Sequence, residues 1–234
     1  NVLDIIKKNN TQFKNLKSTW IINSIFLDAS KGLIQLLSKH ENIALIDLQY
    51  TTPDVIEYYD AVNTQIVENG TEPGIEAINV RPLWDLGYTG KNKIVFNYDT
   101  GVWPDHPAFK DRFLGNSYAM SQCWDGYFSP NPNGHISDHG THTLGTMSGL
   151  VEETNDTIGI AFESYWIAND FVTSSVETLP PIEDMITSFE WALNPDGDIS
   201  TSYDVPDVIN NSWRWYNAVS YTHLRDHETF ANLV

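Results

Sequence analysis

The amino-acid sequence predicts an α/β fold, a parallel sheet flanked by helices, preceded by a small α+β module. Apolar strand patterns alternate with helical patterns between residues 94 and 210, as is typical of parallel sheets. Residues 1–50 instead carry helix, strand, helix and strand patterns in close succession, which indicates a separate module. Hydrophobic residues make up 41% of the 234-residue chain, enough to fill a core.

The small module is predicted as two helices laid on one sheet. A polar, Lys-rich pattern favours a helix over residues 2–16, and the β-branched run 18–27 favours a strand. Ser30 supplies cap chemistry for a helix over residues 32–39, and a second apolar strand is expected at 43–48.

A linker and a longer series of elements follow the module. Residues 51–73 are predicted as the linker because Thr-Thr-Pro, Asn-Gly-Thr and Glu-Pro-Gly break any regular pattern, with a short helix around 55–59. The larger domain is expected over residues 74–218. Its predicted elements are a segment at 75–86, strands at 94–98, 158–161, 165–168 and 207–210, and a helix at 181–193.

Composition excludes several classes of partner and site. The chain has 31 acidic and 13 basic residues, a dispersed net charge of −18 that argues against nucleic acid and anionic membrane as partners. A single cysteine, Cys123, excludes an internal disulfide and a cysteine-based zinc site. No apolar run approaches the roughly 20 residues of a membrane span. The sequence begins with Asn1 rather than Met, so the lack of a signal peptide carries little weight.

Asp99 follows the strand predicted at 94–98, in the motif Asp99-Thr-Gly101. Parallel sheets place catalytic and ligand-binding groups at the carboxyl ends of their strands. A partly buried carboxylate there can orient a histidine and stabilise its imidazolium form. Taken alone, the motif is weak, because Asp-x-Gly more often marks an ordinary turn than a catalytic site.

His139 lies in the second motif, Ser137-Asp-His-Gly-Thr-His-Thr143. Ser137 and Asp138 can cap a helix that begins at or near His139. A histidine in the first turn of a buried helix is held rigidly and faces a cleft, as a general base must be.

The residues alone leave two other interpretations of this stretch open. One is a purely structural histidine. The other is a metal site, although no His-Glu-x-x-His pattern and no further cysteine supports it. The side chains available for such a site are His135, Asp138, His139 and His142.

Four motifs occur in the order found in subtilisin-like serine proteases, the subtilases, and the sequence resembles that family over residues 74–215. They are Gly87-Tyr-Thr-Gly-Lys91, Asp99-Thr-Gly-Val-Trp-Pro-Asp-His-Pro107, His139-Gly-Thr-His-Thr143 and Pro206-Asp-Val-Ile-Asn-Asn-Ser-Trp213. The amino-acid sequences of these motifs are most similar to those of bacillopeptidase F-like members. The resemblance implies a subtilisin-like fold and a serine endopeptidase that acts on protein or peptide substrates.

The resemblance also implies roles for individual residues. Asp99 would orient His139, and His139 would take the proton from an attacking serine. The segment Asn211-Ser212-Trp213 matches the family's substrate-binding segment, although Arg214-Trp215 follows it where Gly-Gly is usual. The activity requires no cofactor and no catalytic metal, and the structural Ca²⁺ that many subtilases bind has no assigned ligands here.

By the same resemblance, residues 1–50 are expected to be a propeptide, an inhibitor and chaperone that acts in cis; the alternative is an unrelated small α+β domain. The family's nucleophilic serine lies in Gly-Thr-Ser-Met-Ala and its oxyanion asparagine in Ala-Gly-Asn, and neither motif occurs in this sequence. We therefore expect an inactive N-terminal fragment, with the N-terminal half of the sheet, of a secreted or cell-envelope endopeptidase. The alternative is a non-catalytic, subtilase-like protein that binds peptides in its cleft.

Residues 219–234 are expected to be a non-native tail, because they resemble a translated sequencing adapter rather than the family. His223 and His227 have the i, i+4 spacing of metal ligands, but they lie in this tail and are not assigned a role.

Overall fold

A computed structural model describes residues 1–48, 56–57, 71–133, 137–173 and 179–215. The chain divides into two compact units, the first formed by Asn1–Pro53 and Pro181–Glu190, the second by Asp54–Pro180 and Trp191–Val234. In the described ranges, no helix has the length and apolar character needed to cross a bilayer.

The helices and strands alternate along most of the chain. In chain order they are α1 (Val2–Lys8), β1 (Phe13–Thr19), β2 (Ser24–Ala29), α2 (Lys31–Leu37), β3 (Ile56–Glu57), α3 (Pro73–Ala77), α4 (Arg81–Asp85), β4 (Ile94–Asn97), β5 (Trp124–Asp125), α5 (His139–Ser148), β6 (Leu150–Val151), β7 (Asp156–Thr157), β8 (Tyr165–Asn169), α6 (Ile182–Ala192), β9 (Val208–Asn210) and β10 (Arg214–Trp215).

In the first unit, two helices pack on a two-stranded antiparallel sheet. Strands β1 and β2 form the hairpin, and the side-chain oxygen of Ser30 caps α2 by accepting from the N–H of Leu33 at 3.2 Å. The core consists of Ile6, Leu33 and Leu37, with apolar side chains of the hairpin packed against them. Two helices do pack on one sheet as predicted, but the sheet is the hairpin of β1 and β2 and contains no strand at 43–48.

Several element boundaries in this unit were predicted wrongly. Helix α1 ends at Lys8 rather than at residue 16, because the chain turns and enters β1. The run 18–27 is a hairpin rather than one strand, with Asn23 at a φ of 51° in its turn. Residues 43–48 form no strand, and Leu45 and Leu48 are 77% and 78% exposed, since no neighbouring strand pairs with them.

The second unit is built on a parallel sheet with the strand order β5-β8-β4-β9. All four residues of β4 are buried, as expected for a strand inside a parallel sheet covered on both faces. Phe96 of this strand packs against Trp191, with ring centroids 5.5 Å apart. The α/β fold with a parallel sheet is thereby confirmed.

Three predictions for the second unit need correction. The segment 75–86 is two short helices, α3 and α4, separated by Asn79 at a φ of 55°. The helix expected around 55–59 contains the strand β3 instead, and the rest of that linker lies outside the described residues. Residues 158–161 form no strand, because the chain there follows the hairpin of β6 and β7.

Asp204 is a buried carboxylate without a partner among the described residues. Its side chain is fully buried, and neither of its oxygens accepts a hydrogen bond there. Burial raises the pKa of Asp204 and the charge of Asp196 adds to that rise, while the nearby backbone N–H groups of Asp204 and Asp196 oppose it in part. The negative charge of Asp204 contributes in turn, after burial, to raising the pKa of Cys123 to about 12.

Asp204→Asn should therefore stabilise this chain at about pH 7, by about 1 kcal/mol, because the amide carries no charge to desolvate. Since the folded-state pKa of Asp204 is raised, the wild-type chain gains stability as pH falls through that value, and the gain is complete below the unfolded-state value of about 3.9. The difference between the two proteins in urea unfolding should shrink as the pH is lowered towards about 4. A variant less stable than the wild type at neutral pH would contradict this and would indicate a cation on the carboxylate.

Candidate active site

Asp99 and His139 form a buried, hydrogen-bonded pair. Nδ1 of His139 lies 2.7 Å from Oδ1 of Asp99, and the side chains are 5% and 0% exposed respectively. Asp99 follows β4, the inner strand between β8 and β9, and His139 is the first residue of α5. A carboxylate on Nδ1 fixes the ring orientation and leaves Nε2 as the basic nitrogen.

Further hydrogen bonds hold Asp99 in place. The N–H of Thr100 donates to Oδ1 at 2.7 Å, and the hydroxyl of Thr143 lies 3.0 Å from Oδ2. The N–H of Asp99 donates to Oδ1 of Asn169 at 2.9 Å, and its carbonyl accepts from the N–H of Val172 at 3.1 Å. The backbone of Asp99 is thus fixed relative to β8, and its carboxylate is fixed relative to Thr100 and to α5.

The first turn of α5 lies against the turn that carries Asp99. Helix α5 begins at His139 as predicted, but its N-cap residue Asp138 makes no side-chain cap hydrogen bond. Oγ of Ser137, one residue earlier, accepts from the N–H of His139 at 3.0 Å. A Cβ on Gly140 would lie 2.1 Å from the carbonyl oxygen of Gly101, and Gly101 itself has a φ of 98°. These two glycines therefore allow the close approach that sets the distance between Asp99 and His139.

Two buried residues of the site, Asn97 and Thr143, were missed by the sequence reasoning. The amide of Asn97 donates to the carbonyl of Gly140 at 2.7 Å, and Thr143 lies one helical turn beyond His139. A signal for both was present. Asn97 is the one polar residue of a buried strand and alternates onto the face of Asp99, while Thr143 is at the i+4 position from His139.

The segment predicted to bind substrate follows β9, next to the pair. Asn211 and Ser212 are exposed and Trp213 is half-buried. Nε1 of Trp213 donates to the carbonyl of Tyr98 at 2.9 Å, and the two rings lie 5.5 Å apart. This segment is therefore attached to the residue that precedes Asp99.

The side chains considered for a metal site do not converge. His139 faces Asp99, and His135 lies outside the described residues. Asp138 and His142 instead line a separate cavity of about 600 Å³ beside α5. Across the described ranges, no three His, Cys, Asp or Glu side chains are placed to hold a metal ion, so no Ca²⁺ ligands are assigned there.

His106 also lines this cavity, and its surroundings differ from those of His139. Burial lowers the pKa of His106, its ring stacks on Phe109 at 4.9 Å, and its Nδ1 accepts from the N–H of Ala108 at 3.2 Å. No carboxylate orients this ring among these contacts. The arrangement is that of a packed structural histidine.

Comparison with known protein families shows which family the chain with this Asp99–His139 pair belongs to. The profile described as the Subtilase family matches residues 90–228, more than half of the chain, and it includes Asp99, His139 and the segment 211–213. The chain belongs to the subtilase family. The match also extends into residues 219–228 of the predicted non-native tail, which lies outside the described residues.

Two curated relatives of this subtilase are proteases of Bacillus subtilis. The chain is 28% identical to bacillopeptidase F over 233 residues, which cover 90% of the chain and 16% of that protein. It is 36% identical to the minor extracellular protease Vpr over 179 residues, which cover 72% of the chain and 20% of that protein. The chain thus spans only a small part of the length of either relative.

A solved structure shows the same fold as this subtilase. It is an epidermin leader peptide processing serine protease from Staphylococcus aureus, with a TM-score of 0.53 and 15% sequence identity. The alignment covers 89% of the chain and 46% of that structure. At this identity the likeness supports the fold and leaves the chemistry to be argued from the site.

Proposed function

We propose that the complete gene product containing this chain is a serine endopeptidase, and that this chain supplies its general base. The observation that carries the proposal is the buried hydrogen bond of 2.7 Å between Asp99 and His139. With its proton on Nδ1, the ring of His139 presents a basic Nε2 that can take the proton of a serine hydroxyl. The same nitrogen then donates that proton to the leaving amine, while Asp99 stabilises the imidazolium between the two steps.

The proposed substrate is an extended peptide bound along residues 211–215. Strand β10, directly after Trp213, already pairs antiparallel with β3, with Arg214 opposite Glu57 and Trp215 opposite Ile56. This pairing supports the ability of the segment to accept an added strand, in which main-chain hydrogen bonds provide affinity. In this structure the strand paired with β10 is β3, which belongs to the same chain.

A labelling experiment tests this function. The complete gene product should react with a fluorophosphonate probe and hydrolyse casein, and both reactions should be lost when His139 is replaced. A product that binds peptides but neither labels nor hydrolyses them would refute the endopeptidase and favour the non-catalytic alternative. The proposed reaction uses only protein groups and water, and structural Ca²⁺ is tested separately through the change of Tm on adding EDTA.

We also propose that residues 1–50 act as a propeptide in cis. In the first unit, Lys17 of β1 forms an ion pair with Asp184 of α6. At the hairpin turn, the backbone N–H groups of Trp20 and Ile21 donate to Oε1 of Glu190, the latter at 3.1 Å. These contacts support a specific attachment of the hairpin to α6.

Glu190→Ala should slow propeptide-dependent folding of the complete gene product several-fold, because two turn N–H groups lose a charged acceptor. Glu190→Gln is the matched control, since it keeps an acceptor oxygen and should retain most of the rate. The measurement is the appearance of mature protein after dilution from denaturant. Equal rates for the alanine variant and the wild type would argue against this attachment.

The proposed location is outside the cell or in the cell envelope. Its support is the relative described as an extracellular protease.

A further inference from the structure

We propose that Asn97 and Thr143 form one positioning unit, which orients Asp99 and connects the histidine's helix to the substrate-binding segment. The use of this unit in proteolysis rests on the function proposed above. The geometry of the unit is independent of that function, and the NMR test described below measures this geometry directly.

Asn97 is a buried hub between three elements. It ends β4 and is fully buried. Its Nδ2 donates to the carbonyl of Gly140 in the first turn of α5 at 2.7 Å. Its Oδ1 lies 3.1 Å from Nδ2 of Asn210 in β9. A buried amide is costly unless it is hydrogen-bonded, so these contacts hold α5, β4 and β9 in one arrangement.

Asn210 carries the connection to the substrate-binding segment. Its Nδ2 also lies 2.9 Å from Oγ of Ser212, within the segment predicted to bind substrate. A hydrogen-bonded path therefore runs from Gly140, next to His139, through Asn97 and Asn210 to Ser212. A shift of either end changes the geometry that the other end can adopt.

Thr143 has one hydroxyl proton and three acceptors within reach. They are Oδ2 of Asp99 at 3.0 Å, the carbonyl of Gly140 at 3.1 Å and Oδ1 of Asn97 at 3.2 Å. The two neutral acceptors already receive protons, Gly140 from Asn97 and Asn97 from Asn210.

Each neutral oxygen could accept a second proton, so charge decides between the three, and the carboxylate is the acceptor that Thr143 serves. A hydrogen bond to a buried ionised group is about twice as strong as one between neutral groups. Thr143 then holds Oδ2 while Thr100 and His139 hold Oδ1, so the plane of the carboxylate is fixed. Asn97 keeps the helix turn that carries both His139 and Thr143 in register with β4.

The test is NMR of the 234-residue chain with ¹⁵N-labelled histidine rings. In the wild type, the neutral ring of His139 should carry its proton on Nδ1, and this proton should exchange slowly with water. In Thr143→Val, which keeps the shape but removes the donor, exchange should be at least tenfold faster and the Nε2–H tautomer should become populated. Thr143→Ser restores the hydroxyl and should restore both signals.

Thr146→Val is the matched control. Thr146 lies on the same helix, is exposed, and bonds to the carbonyl of His142 rather than to Asp99. This variant should leave the signals of His139 unchanged. Asn97→Leu should both speed exchange at His139 and shift the side-chain amide signal of Asn210.

A folded Thr143→Val chain with wild-type exchange and tautomer would overturn the proposal. If the variants fail to fold, the wild type still provides a test, because the Thr143 hydroxyl proton should be protected and close to Asp99. A hydroxyl proton that exchanges rapidly, or that points to Asn97, would overturn it as well. Neither readout requires the chain to hydrolyse a peptide, so a failed endopeptidase assay leaves this inference independently testable.

Discussion

His139→Ala in the complete gene product should lower kcat for peptide hydrolysis by about 10⁶-fold, the size of loss measured when subtilisin itself is deprived of its triad histidine. His139 is the group placed to take and return the proton in both halves of acyl transfer, and alanine offers no substitute. The measurement is kcat on a chromogenic peptide, with active-site titration of the wild type. KM should change little, because His139 does not belong to the segment proposed to bind substrate.

His142→Ala is the matched control for this prediction. It changes the same residue type in the same motif, on the same turn of α5, but His142 is exposed and lines the separate cavity. It should keep kcat within a few-fold of the wild type. A His139→Ala enzyme with more than about one-hundredth of the wild-type kcat would contradict the assignment of the general base.

The positions of Asp99 and His139 were predictable because Asp99 follows a strand and His139 begins a helix, and both elements could be predicted from nearby residues. The short, largely apolar run Ile94–Tyr98 favours a buried strand, and Asp99 follows it directly. Ser137 marks the helix start at His139, since a serine hydroxyl readily accepts a first-turn N–H. Parallel sheets gather such strand and helix ends at one edge, but the pairing of these two residues was implied by the resemblance to subtilases.

The errors lie where structure depends on partners distant in sequence. The β-branched run 18–27 is compatible with one strand or with a hairpin, and the turn at Trp20–Asn23 depends on how β1 and β2 pair. Residues 43–48 have strand composition, but β-propensity has no effect without a neighbouring strand. Strand β3 likewise exists only because residues 214–215 pair with it.

The polar network around Asp99 was missed for a different reason. Asn97 and Thr143 do not belong to any triad, and a buried polar residue in a sequence gives no indication of its acceptor. In the folded chain, Asn97 bonds to Gly140, 43 residues away, and to Asn210, 113 residues away. A buried polar residue two positions before a catalytic aspartate is nevertheless a usable signal, because strand alternation puts both on one face.

Asp99→Asn should separate the charge of this residue from its hydrogen bonding. Oδ1 of Asp99 accepts from the N–H of Thr100 and from Nδ1 of His139, both at 2.7 Å. A backbone N–H can only donate, so the oxygen of the new amide must take this position. The amide NH₂ then faces Thr143, whose hydroxyl can accept from it and turn its own proton to Oδ1 of Asn97, 3.2 Å away.

The ring of His139 should therefore keep its Nδ1–H tautomer in Asp99→Asn, although the charge that stabilises the imidazolium is lost. We expect kcat to fall by up to about 10⁴-fold, the size of loss that follows removal of the triad aspartate in subtilisin, with the ¹⁵N ring signals of the neutral histidine unchanged. Asp99→Ala, which removes the acceptor as well, should lower kcat at least as much and mix the tautomers. A predominantly Nε2–H ring in Asp99→Asn would show that the amide binds in the opposite orientation, and that Thr143 rather than Thr100 determines how residue 99 is held.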